Sequence, residues 1–231
     1  MSGSNVEFLA SEESALGMIY LSRRELPSQP GTLVLELFLD HALLMSSCST
    51  HSERALATNA IALHAGEQLK VLVGGLGLGY TAREALASRA VAELEVIEFL
   101  PQLIGWFERG ILPLASELRA DPRFSLRQGD VYTQLGRPPA RRYDLILIDV
   151  DHAPEERLGD GSDAFYTEEM LRKAREHLAS EGILGVWSYA ESKGFAQLLE
   201  RVFGEVRIER LTFRNPVIEE EEVNWLFLAR R

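Results

Sequence analysis

The 231 residues, 46% hydrophobic and 26% charged, suffice for a full core in one large domain with room for a small appendage. The 35 acids against 24 bases leave a formal net charge of −11, and no basic cluster stands ready to neutralise a run of phosphates, which argues against nucleic acid as a partner. No apolar run reaches bilayer length, MSGSNVEF lacks the basic and apolar regions of a signal peptide, and the single Cys48 makes no internal disulfide. The expectation is a cytoplasmic protein with no membrane partner.

Residues 1–50 read as a small β-rich unit. Leu16–Leu21 and Thr32–Leu39 are short, apolar or alternating, and RRELPSQPG between them carries the turn residues Pro27, Pro30 and Gly31. The stretch THSERALATNAIALHAG then begins with Thr50 as a capping residue, has Glu53 three positions on and ends at Gly66, so a capped linking helix is expected over 51–68.

Residues 69–231 alternate β and α signals. Lys70–Val73, Leu94–Ile97, Phe124–Leu126, Tyr143–Val150 and Ile183–Trp187 are strand-like, with helical patterns between them that include one from Pro101 and one over Ala164–Leu178. This is the pattern of a mostly parallel sheet covered on both faces. At the end, Val206–Phe213 and Val223–Ala229 are joined by RNPVIEEEE, too short for a helical crossover, and are expected to form an antiparallel pair at the sheet edge.

The most informative stretch is VLVGGLGLGY, residues 71–80. A strand, then glycines, then a helix places unpaired backbone N–H groups where open α/β sheets bind nucleotide-like ligands. A dinucleotide site wants G-x-G-x-x-G, whereas Gly75, Gly77 and Gly79 give G-x-G-x-G and Tyr80 follows, which weakens the pyrophosphate reading. Glu98 lies 19 residues beyond Gly79 at a strand end, where an acid accepts both ribose hydroxyls. The ligand expected is therefore adenosyl. Asp130, after the third strand of this domain, is placed for an adenine amino group, and Asp149, ending the fourth, faces the crevice.

Taken in order, VLVGGLGLGYTAREAL, EVIEFLP, DPRFSLRQGDVYTQL, YDLILIDVD and FYTEEMLRKAREHLASEGIL resemble the successive motifs of spermidine synthases, within the Rossmann-like class I methyltransferase fold. The resemblance spans about Phe8 to Trp187. It implies that Gly75, Gly77 and Gly79 approach a sulfonium donor, S-adenosylmethionine or its decarboxylated form. It also implies that Glu98 holds the ribose, that Asp130 holds the adenine and that Asp149 stands at the catalytic aspartate's position.

The departures bear on the acceptor. Spermidine synthases carry an Asp-Ser-Ser-Asp-Pro loop, where this chain has Asp149-Val150-Asp151-His152-Ala153-Pro154; their Tyr-His-Glu element becomes HSERALA, which keeps Glu53. Asp149 and Asp151 suit one ammonium, and His152 is a candidate base beside them. A metal held by Asp149, Asp151 and His152 is disfavoured, because no further ligand pattern accompanies them. Cys48 and His51 read as structural. Trp106, Trp187 and Trp225 read as packing residues, with Trp187 the best placed for substrate contact. Because the diamine loop is altered, the expected reaction is methyl transfer from S-adenosylmethionine to a small-molecule acceptor. The alternatives are aminopropyl transfer to a polyamine and a non-catalytic adenosyl-binding module; a homodimer is an assembly open to the chain.

Overall fold

The computed structural model describes residues 6–150, 153–154, 165–216 and 219–231. At the amino-terminal end, β1 (Glu7–Ser14), β2 (Gly17–Glu25), β3 (Leu33–Leu39) and β4 (Ala42–Ser46) form an antiparallel sheet in chain order. The two segments read from sequence lie in β2 and β3. Alternation gives this sheet two faces: Ile19, Leu21, Leu37 and Leu39 point into the core, while Tyr20 and Phe38 stack on the other side with ring centroids 4.9 Å apart.

Helix α1 (His51–His64) follows directly. The expected capping box does not form: Thr50 makes no side-chain cap, and Glu53 turns inward instead of back to the helix end. The reason lies in the spacing. Glu53 shares a stripe with Leu56, Ala57, Ala60 and Leu63, all buried, so its position on the helix wheel carries it toward the core. The helix stops at Ala65, which is left-handed at φ 56, one residue before the predicted Gly66.

A seven-stranded sheet forms the rest. It comprises β5 (Leu69–Gly74), β6 (Val91–Glu98), β7 (Phe124–Gln128), β8 (Tyr143–Ile148), β9 (Leu178–Ser188), β10 (Glu205–Arg214) and β11 (Glu221–Arg230), in the order β10-β11-β9-β8-β5-β6-β7. The strands β7, β6, β5, β8 and β9 are parallel, and β11 and β10 close the edge as the expected antiparallel pair. Successive residues of β8 show why both faces need cover. Leu145 and Leu147 join the core beneath α1, α2 (Tyr80–Ala87) and α3 (Pro101–Glu108), whereas Ile146 and Ile148 join the opposite core under α6 (Glu168–Glu176) and α7 (Lys193–Val202).

Two boundaries differ from the sequence reading. Strand β8 ends at Ile148, two residues early, and β9 begins at Leu178, the last residue of the expected helix and well before the strand expected from Ile183. Leu178 pairs with Tyr143, the chain bends through Glu181 at φ 64, and pairing resumes between Ile183 and Leu145. Ala164, the predicted start of the preceding helix, lies outside the described residues.

The chain order reverses between β5 and β8, the switch point at which a crevice opens at the strands' carboxyl ends. The amino-terminal sheet lies across that crevice. It is fastened by Trp106 of α3, fully buried, whose indole N–H donates to Glu12 Oε1 at 2.6 Å, and by leucines that share one core with α1, α2 and α3.

Candidate functional site

The crevice encloses a cavity of about 220 Å³ between the amino-terminal sheet and the ends of β5, β6 and β8. Its floor is the glycine loop. Gly75 has φ 92, and a Cβ there would stand 2.5 Å from the carbonyl oxygen of Asp149; one on Gly77 would stand 2.9 Å from Met45 Sδ. Only bare backbone fits between the end of β8 and the sheet above.

The loop's N–H groups are not the free cradle expected from sequence. Gly75 N–H donates to Ile97 O at 2.9 Å, Leu76 N–H to Glu98 Oε2 at 2.7 Å, Leu78 N–H to Met45 Sδ at 3.1 Å and Gly79 N–H to Leu76 O at 2.8 Å. Gly77 N–H also turns to Glu98. A pyrophosphate would find these donors occupied. A ligand that needs close approach without anion binding finds the space it requires.

Glu98 ends β6, is 5% exposed and accepts from Leu76 N–H and Leu100 N–H, each at 2.7 Å. Burial raises its pKa, and these backbone donors oppose the rise. Glu98 also lines the cavity. Asp130 caps α5 (Val131–Leu135): Oδ1 accepts from Tyr132 N–H at 2.9 Å and Oδ2 from Thr133 Oγ1 at 2.6 Å. It too lines the cavity.

Asp149 follows β8, with its N–H donating to Gly74 O at 3.1 Å and its Oδ2 accepting from Thr81 Oγ1 at 2.6 Å. Its carboxyl is raised above the usual range by burial, and the Thr81 hydroxyl pulls the other way. Facing the same cavity is an acid that the sequence placed in a capping box and that also matches the glutamate of the Tyr-His-Glu element. Glu53 is 7% exposed, and its closest hydrogen-bond donor is Ser52 Oγ at 3.0 Å. Burial, then the charge of Asp149, drives its pKa upward. The signal was present in the sequence, since a carboxylate on the apolar stripe of an amphipathic helix is rarely left buried without a purpose.

Trp187 is the third member of this corner. Ile148 pairs with Val186, and the residue that follows each, Asp149 and Trp187, lines the cavity. Trp187 lines the cavity, and its Nε1 is buried without a hydrogen-bond partner among the described residues. Trp225 packs against the opposite core, as expected of a packing residue. Cys48 and His51 do not face each other: Cys48 Sγ contacts Ser46 Oγ at 3.1 Å, and His51 stacks on Phe213. Asp151 and His152 lie outside the described residues. Among the described residues, no group of three or more His, Cys, Asp or Glu is arranged to hold a metal, and no helix is long and apolar enough to cross a membrane.

The cavity's charge is one-sided. Its described lining carries four carboxylates, Glu53, Glu98, Asp130 and Asp149, with no lysine, arginine or histidine, while Leu16, Leu37, Leu39, Leu44 and Met45 of the amino-terminal segment supply an apolar wall.

No family model matches the chain. It is 30% identical over 155 residues to polyamine aminopropyltransferase 2 of Streptomyces coelicolor, an alignment covering 66% of this chain and 27% of that protein. It is 27% identical over 187 residues to polyamine aminopropyltransferase 2 of Pseudomonas aeruginosa, covering 76% of this chain and 51% of the relative. The chain thus spans between about a quarter and a half of the length of these relatives. A crystal structure of a spermidine synthase in complex with the transition-state analogue AdoDATO superposes with a TM-score of 0.77 at 19% identity, covering 96% of this chain and 73% of that one. The chain therefore has the fold of the spermidine synthases, and its sequence is similar to that of polyamine aminopropyltransferases.

Proposed function

We propose that the chain transfers an aminopropyl group from decarboxylated S-adenosylmethionine to an amine. The observation that carries this reading is the cavity's charge: acids line it, and no base among the described residues does. A donor that keeps its carboxylate would present an anion to Glu53 and Asp149, with no cation among the described lining residues to offset it. At about 4 Å and an effective dielectric near 20, such a contact costs on the order of 4 kcal/mol. The decarboxylated donor presents an ammonium, and the same term changes sign. The polyamine aminopropyltransferase relatives support the same choice, so aminopropyl transfer replaces the methyl transfer expected from the altered loop.

In this reading Glu98 accepts the ribose hydroxyls, Asp130 meets the adenine amino group, and Gly75, Gly77 and Gly79 leave room for the sulfonium end. Asp149 receives a proton from the acceptor's ammonium, which frees the nitrogen lone pair. That pair attacks the methylene next to sulfur, the C–S bond breaks, and its electrons return to sulfur as neutral methylthioadenosine leaves. Alignment of the two reactants and removal of one proton are what the site must supply. A non-catalytic adenosyl-binding module has no use for the buried pair Glu53 and Asp149, whose desolvation costs stability unless a cation joins them.

Calorimetry with each donor tests the reading. Decarboxylated S-adenosylmethionine is expected to bind at least about 100-fold more tightly than S-adenosylmethionine, the equivalent of about 2.7 kcal/mol. Equal affinities, or the reverse order, would overturn it.

A further inference from the structure

The amino ends of β8 and β9 lie at the far side of the sheet from the crevice, and a second hollow, of about 300 Å³, opens there. Its lining is Arg142, Arg175, Ser180, Glu181 and Arg231. Arg142 directly precedes β8, Arg175 stands in the last turn of α6, Ser180 and Glu181 lie at the bend of β9, and Arg231 follows β11. The three arginines are distant from one another in sequence, which hides the cluster until the fold assembles it.

Want of partners sets these arginines apart. Many exposed arginines of this acid-rich chain hold a carboxylate: Arg23 takes Glu7, Arg54 takes Glu84, Arg201 takes Glu168, and Arg141, the neighbour of Arg142, takes Glu93. Among the described residues Arg142, Arg175 and Arg231 take none. The one acid of the lining, Glu181, lies 3.6 Å from Arg230, which is not part of the hollow. Arg231 is anchored, with its N–H donating to Gly182 O at 2.9 Å and its guanidinium to Leu178 O. Three guanidinium groups and the Ser180 hydroxyl thus share one hollow, and an anion that enters relieves their mutual repulsion.

We propose that this hollow is a binding site for a multiply charged phosphate, free or carried by a nucleotide, separate from the crevice. The planar fork of a guanidinium matches two oxygens of a phosphate, and a phosphate with two or more charges answers several guanidinium groups at once, which a chloride or a single carboxylate does not. Distance and charge keep the two sites apart. The six residues of β8, roughly 20 Å of strand, stand between Arg142 and Asp149, and the acids that line the crevice repel the anion that the hollow attracts.

The test is calorimetric titration of the full chain with inorganic phosphate, pyrophosphate and ATP, with acetate as the control anion. Pyrophosphate is expected to occupy one site with a Kd of about 1 mM or tighter at about 0.05 M salt, and to bind about tenfold or more weakly at about 0.3 M, because the arginines are open to screening. Acetate should give no measurable binding. Arg142→Gln with Arg175→Gln should weaken pyrophosphate about tenfold or more; both side chains are exposed, so the melting temperature without ligand should stay at the wild-type value. Glu53→Gln, in the crevice, should leave the affinity unchanged. ATP equal to pyrophosphate assigns the site to the phosphates alone, and ATP clearly tighter assigns it to a nucleotide; either supports the site. No binding of pyrophosphate, binding indifferent to salt, or an affinity that the folded double variant retains would overturn the inference. The salt series needs no variant, so a substitution that fails to fold does not decide the outcome.

Discussion

Thr81 donates its hydroxyl to Asp149 Oδ2 at 2.6 Å across 68 residues of chain, tying the first turn of α2 to the end of β8. The bond favours the ionised carboxylate and holds it toward the cavity, against the burial that raises its pKa. Thr81→Val keeps the shape and removes the donor. Turnover is expected to fall about tenfold or more, and the acidic limb of the kcat/KM profile to move to higher pH, since loss of the hydroxyl leaves burial unopposed. Thr81→Ser should restore both. An unmoved limb in a slow Thr81→Val variant would make the bond structural only.

Glu98 carries two duties, because the oxygens that face the cavity also hold Leu76 N–H and Leu100 N–H. Glu98→Ala is expected to lower affinity for methylthioadenosine at least tenfold, about 1.4 kcal/mol. It should also destabilise the fold by about 1–3 kcal/mol through the orphaned amides. Calorimetry and denaturant unfolding on one preparation read both, and unaltered ligand affinity would remove Glu98 from the site.

The buried acid pair makes a prediction about stability and pH. Glu53 is raised in the folded chain, while the unfolded residue titrates near about 4.3. The folded state therefore binds more protons than the unfolded one above that pH. The stability contributed by protonated Glu53 is full below the unfolded pKa and is lost as pH rises through the folded pKa; Asp149, also raised, acts with the same sign. Without ligand, the melting temperature of Glu53→Gln minus that of wild type is expected to grow from pH 5 to pH 8. A difference that is flat or shrinks over this range would contradict the burial described for Glu53.

Gly75→Ala probes the loop itself. With φ 92 and a Cβ that would lie 2.5 Å from a backbone oxygen, the substitution has no flexible neighbour to displace. A loss of at least about 2 kcal/mol of stability is expected, with donor binding reduced in whatever folds. An alanine variant of wild-type stability would show that the loop yields.

The sheet was legible because its signals are local. Glycines behind an apolar run, acids at successive strand ends and a tail too short for a crossover each reflect backbone geometry that a few residues dictate. Glu98, Asp130 and Asp149 were found in this way, and the structure brings all three to one cavity. The capping role expected of Glu53 failed because the local rule, an acid three residues after a threonine, competed with the helix's apolar stripe, and burial of that stripe decided the side chain's direction. The occupied N–H groups of the glycine loop were invisible for a related reason. Their partners, Met45 and Glu98, come from a distant strand and from the neighbouring one, and only the assembled crevice brings them together. The one-sided charge of the walls is likewise a property of several elements meeting, not of any motif.

The central claim is that this site moves an aminopropyl group, and the nucleoside left behind reports it directly. The chain is incubated with equal amounts of S-adenosylmethionine and its decarboxylated form together with putrescine, cadaverine and n-hexylamine, and the products are separated by mass. The account predicts methylthioadenosine in step with the alkylated amine and no adenosylhomocysteine above the protein-free control. Adenosylhomocysteine accumulating with a methylated acceptor, and no methylthioadenosine, would contradict it.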